Sequence, residues 1–69
     1  MDSMEIRKLE RALASAETKV RKASETRRAL PVGSSRAKVT TANARWSTAC
    51  EARDRILAAI DALKEKEVA

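Results

Sequence analysis

Apolar and small residues recur along the chain at alternating intervals of three and four. In the first half the stripe runs through Ile6, Leu9, Leu13, Ala16, Val20, Ala23, Arg27 and Leu30. In the second it runs through Val39, Ala42, Trp46, Ala49, Arg53, Ile56, Ile60 and Leu63. Sustained over about four heptads in each half, this is the seam of a coiled coil, and nothing alternates with the period of two that a strand requires. The spacing predicts one helix over about 3–30 and a second over about 35–67, joined by a loop at about 31–34.

The punctuation agrees. Pro31-Val32-Gly33-Ser34-Ser35 is the one cluster of helix breakers, with Pro31 stopping the first helix and Gly33 relieving the turn. Asp2 with Glu5 fits a capping box, Ser3 is a second candidate cap, and Ser34 or Ser35 is placed to cap the second helix. Lys64 and Lys66 lie in its last turn, where cations meet the negative end of the helix dipole. Glu17 with Arg21 and Glu51 with Arg55 have the spacing of supporting ion pairs. A connection this short makes the helices antiparallel, giving a hairpin of helices roughly 40 to 50 Å long.

Folding the hairpin at Val32 and Gly33 pairs positions whose numbers add to 65 or 66. Ala16 then faces Ala49, Ala23 faces Ala42, Val20 faces Trp46, Leu9 faces Ile56 and Ile6 faces Ile60. The middle of the seam is small and its open end large. Two arginines interrupt it, Arg27 near the loop and Arg53 opposite Leu13, and Glu10 or Glu17 across the hairpin is the expected partner for Arg53.

Composition shows how thin such a core must be. Of 69 residues fourteen are alanine, and Trp46 is the single aromatic side chain. A lone two-helix chain of this size is marginal. Apolar residues also flank the seam, with Ala12, Ala52 and Ala59 on one edge and Cys50 and Leu57 on the other. This widens the apolar face beyond what one partner helix covers. The expected architecture is therefore an all-α, antiparallel two-helix coiled-coil hairpin that forms one domain over 1–69 and dimerises into a four-helix bundle. Its expected oligomer or partner interface comprises Leu57, Ala52, Ala59, Cys50, Ala12, Ile56 and Ile60.

Chemistry narrows by exclusion. There is no histidine and one cysteine, so zinc sites and Ser-His or Cys-His catalysis cannot be assembled within one chain. Acid pairs such as Glu51 with Asp54, or Asp61 with Glu65, share a helix face but read as solvated surface. No enzymatic activity, metal or cofactor is expected. Cys50 reads as a small buried hydrophobe rather than half of an intermolecular disulfide, in a chain suited to a reducing compartment. The N-terminal residues lack an apolar signal region, and no apolar run is long enough to span a bilayer. A cytoplasmic protein with no membrane role is expected.

Charge is the informative remainder. The net charge is +5, but the segment from Lys19 to Arg45 holds eight basic residues against one acid, and everything outside it holds seven against nine. The loop half is thus +7 and the open end −2. The first helix repeats the bias on one face, where the b and c heptad positions hold Arg7, Lys8, Arg21, Lys22 and Arg28 with no acid among them. The second helix opens beside Ser34, Ser35, Arg36 and Lys38, and helix starts of this kind bind phosphate. The segment lacks the spacing of a nucleotide-binding P-loop.

Two functions follow as expectations. The first is binding of a polyanion, DNA or RNA, through Lys19, Arg21, Lys22, Arg27, Arg28, Ser34, Ser35, Arg36, Lys38 and Arg45. Such binding would be dominated by the backbone, because Trp46 lies in the seam and is not free to stack on bases. The second is a protein–protein adaptor, inhibitor or assembly factor in which the apolar base or the basic tip engages a larger protein partner.

Overall fold

A residue that precedes proline is forced out of the helical region, because the proline ring clashes with its backbone. That clash ends the first helix early. In the computed structural model, which describes residues 3–68, α1 spans Ser3–Arg28 and α2 spans Arg36–Val68. Leu30, which the seam pattern includes in the first helix, lies outside it. The last helix-type bond runs from the Ala29 N–H to the Glu25 carbonyl at 2.9 Å.

The loop is closed by its own serines. Ser34 donates both its backbone N–H (3.1 Å) and its hydroxyl (2.7 Å) to the Pro31 carbonyl. Ser35 is the N-cap of α2: its Oγ accepts the Lys38 N–H at 3.3 Å and its carbonyl accepts the Val39 N–H at 3.1 Å. Gly33 has φ +90°, a left-handed conformation that costs a side-chain-bearing residue free energy. Asp2, the other candidate cap, lies outside the described residues.

The two helices pack against each other along their length. Apart from Arg27 and Val39, which are exposed, the seam positions are covered: Ala16, Ala42 and Ile60 are buried, and Ile6, Leu9, Leu13, Val20, Ala23, Trp46, Ala49, Ile56 and Leu63 are half-buried. Val39 is 38% exposed because it falls beside the loop, where α1 has already ended. Small residues occupy the middle and aliphatic ones the open end. None of the described side chains is completely enclosed.

The product is a rod of 53 × 16 × 12 Å with a radius of gyration of 16.0 Å. A compact domain of this length would have a radius of about 11 Å. Two helices side by side have no third layer, so each can cover only one stripe of the other. The hairpin therefore has a line of packing instead of an enclosed core.

Candidate functional site

The seam divides the surface of the rod into two long sides, and the heptad positions that flank it decide what each side carries. On one side Ala12 and Lys19 of α1 share an edge with Ala52 and Ala59 of α2. Here the structure forms an open, largely apolar groove. Near the loop it is lined by Ala23, Thr26, Leu30, Ala37, Lys38 and Thr41, and toward mid-rod by Lys19, Ala44, Arg45, Thr48, Ala49 and Ala52. Alanine and threonine make up most of this lining, and their short side chains keep the groove open.

The opposite side is polar. Glu17, Arg21, Ser24, Glu25 and Arg28 of α1 surround a shallow hollow whose floor is Val20 and Trp46, with Arg53 at its end. Cys50, a half-buried free thiol, and Leu57, 39% exposed, follow the same edge of α2 toward the open end. The residues expected at a dimer interface thus fall into three groups. Ala12, Ala52 and Ala59 are on the groove side, Cys50 and Leu57 are on the polar side, and Ile56 and Ile60 belong to the seam. Ile60, 5% exposed, is already covered by its own hairpin and has almost no surface left to offer a partner.

The basic residues are likewise distributed around the tip. Lys19, Lys38 and Arg45 border the groove, and Arg21 and Arg28 border the polar hollow. Lys22 and Arg36 are exposed. Arg27 lies over the ring of Trp46, its guanidinium carbon 4.7 Å from the ring centroid. This cation–π contact is absent from the expectation that Val20 faces Trp46. Both hold at once: Val20 and Trp46 form the floor of one hollow while Arg27 reaches the ring from nearer the loop.

The candidate anion ligands at the start of α2 are partly committed. Ser34 has one hydroxyl proton and gives it to Pro31, so it has none to donate to a phosphate. Ser35 accepts through Oγ and keeps its proton. The lysine and arginine side chains are freer. Among the described residues the close ion pair is Arg53 with Asp54 at 3.1 Å, outside the basic segment. That contact also corrects the expected pairing of Arg53 across the hairpin: Asp54, the next residue on the same helix, is near enough to be bound by both Nε and Nη2. The spacings Glu17 to Arg21 and Glu51 to Arg55 form no such pair.

Among the described residues no group of three or more Cys, Asp or Glu side chains is arranged to hold a metal, and no helix is long and apolar enough to cross a membrane. Compared with known protein families, with curated proteins and with solved structures, the chain gives no match.

Proposed function

We propose that this hairpin is a non-enzymatic nucleic-acid-binding protein that grips the phosphate backbone with its loop half. The observation that supports this reading is the segregation of charge on a rod: eight cations against one acid in the loop half, none of them in a close ion pair. Unpaired cations at this density release counterions from a polyanion when they neutralise its phosphates. They surround the tip instead of lining one groove, a geometry suited to tolerant contact with phosphates and not to reading base edges. Trp46 is covered by Arg27 and contributes no free stacking platform.

The test is fluorescence anisotropy with a labelled duplex of about 20 base pairs, titrated from about 50 mM salt upward. Binding is expected at low salt, with log K falling linearly against log salt by about 0.9 per phosphate neutralised. Replacing Arg21, Lys22, Arg28 and Arg36 with glutamine should flatten that slope and weaken binding uniformly across sequences. No binding at about 50 mM salt overturns the reading.

The hairpin also self-associates in this reading. Its thin seam and open groove support that, because burial elsewhere must supply what two helices cannot. A four-helix bundle of two hairpins is the assembly we infer, in an intracellular setting that fits the free thiol of Cys50. The second functional reading, an adaptor with no nucleic-acid role, draws on the same groove. It would be favoured by a protein partner that stays bound after nuclease treatment.

A further inference from the structure

The hairpin exposes 5633 Å², whereas a compact monomer of its mass exposes about 4,300 Å². The excess is larger than the roughly 800 Å² that each partner buries in a standard stable interface. The side suited to being covered is the groove, whose floor is alanine and threonine. The other side carries five charged groups around a small hollow, Glu17, Arg21, Glu25, Arg28 and Arg53, against three, Lys19, Lys38 and Arg45, along the longer groove, so covering it would strip water from more charge for less apolar surface.

Charge decides which way a second copy lies. In a parallel pair the two +7 loop halves would run side by side. In an antiparallel pair the three cations that border the groove, Lys19, Lys38 and Arg45, lie instead along an open half whose groove edge, with Glu5 and Lys66, is neutral, and at physiological salt only such near neighbours escape screening. The register sharpens this to named residues. Ala16 and Ala49 mark the middle of the rod. Glu5 is eleven residues from Ala16 toward the open end and Lys38 is eleven residues from Ala49 toward the loop, each about 16 Å from the midpoint. Lys38 borders the groove, and Glu5 shares the heptad edge of Lys19, which borders it too. Both are exposed. Within one hairpin they are about 33 Å apart along the axis, but a two-fold axis through the midpoint superimposes them twice.

We propose that a second copy of this chain covers the groove side in antiparallel orientation, with each Glu5 opposite the partner's Lys38. The inference rests on the self-association put forward above and adds its face, its direction and its ionic contact. The assembly carries one basic tip at each end.

The native chain supplies one test. Lys38 and Lys66 are 28 residues apart on α2, about 42 Å, far beyond a short amine-to-amine cross-linker within one hairpin. A Lys38–Lys66 cross-link in the dimer is therefore intermolecular and is the expected product. In a mixture of light and heavy isotope-labelled chains, a Lys38–Lys38 cross-link in its place overturns the antiparallel arrangement, as does a dimer that gives neither. The second test is a charge swap followed by sedimentation equilibrium, with helicity checked for each variant. Glu5→Lys should weaken the dimer roughly tenfold, and adding Lys38→Glu should restore it to within about threefold. A dimer that the swap fails to rescue overturns the proposed contact and leaves self-association standing. A chain that stays monomeric at about 100 μM, where even weak dimers form, overturns both.

Discussion

The guanidinium of Arg27 lies 4.7 Å from the centre of the Trp46 ring, although the two residues are out of register along the rod. Their numbers add to 73, seven or eight more than directly opposed positions, an axial offset of about 11 Å. Helical side chains lean toward the N-terminus of their own helix. In an antiparallel pair those directions converge: Arg27 leans away from the loop and Trp46 leans toward it. A charged residue at a seam position is thereby placed on the ring of the one aromatic side chain the chain possesses.

Replacing Arg27 with methionine keeps much of the stem and removes the charge. A cation–π contact at an exposed site contributes about 0.5–1 kcal/mol, so the midpoint of thermal unfolding, followed by circular dichroism at fixed protomer concentration, should fall by about 3–6 °C. The emission of Trp46 should change with it. Unaltered melting together with unaltered emission would show that the contact contributes nothing in solution.

Ile60 and Leu57 separate seam from surface. Ile60 is 5% exposed and Leu57 39%. Truncating a buried isoleucine to alanine costs about 2–5 kcal/mol, enough to unfold most of a domain this thin. Leu57→Ala should shift the urea midpoint by the equivalent of at most about 1 kcal/mol, and it should leave self-association through the groove side intact. A Leu57→Ala variant that turns monomeric would place the interface on the polar side instead.

At the loop, Ser35→Ala removes the hydroxyl that accepts the Lys38 N–H and should cost about 1 kcal/mol, whereas Ser35→Asp retains the cap. Gly33→Ala meets no steric obstacle, since nothing lies within 4 Å of the added carbon. Its cost comes from φ +90° alone and should be about 1–2 kcal/mol. Asparagine, which tolerates that region, should cost less. Equal losses for alanine and asparagine in chemical denaturation would contradict a purely conformational origin.

Arg53 sits in the seam with 33% of its side chain exposed and is bound to the adjacent Asp54. A pair between neighbours on one helix at the surface contributes little, while leucine at the same position would extend the aliphatic end of the seam. Arg53→Leu should therefore raise the melting midpoint by several degrees. Its second effect belongs to specificity, because a polar seam residue restricts which pairings are tolerated. Sedimentation of the variant should show a broader set of assembly states, and a lower melting point with unchanged assembly would count against this role.

Heptad spacing, the breaker cluster at Pro31 to Ser35 and the division of charge were all legible along the chain, because each depends on residues close in sequence. Local chemistry decides where α1 stops: the clash at Pro31 acts on Leu30 whatever else the protein does. The burial of Ala16, Ala42 and Ile60 was legible too, since a period of 3.5 and one turn leave a single register for two antiparallel helices.

What the linear pattern left open was settled by where each side chain finds its partner in the folded hairpin. Asp54 binds Arg53 in place of Glu10 or Glu17 because a neighbour on the same turn needs no long reach across the seam. Arg27 finds Trp46 because two opposed helix directions tilt both side chains toward one point. The flanking apolar residues looked like one widened face in sequence. The tertiary structure divides them between a groove of alanine and threonine and a hollow bordered by charge, because the seam lies between the two edges of each helix and holds them on opposite sides of the rod.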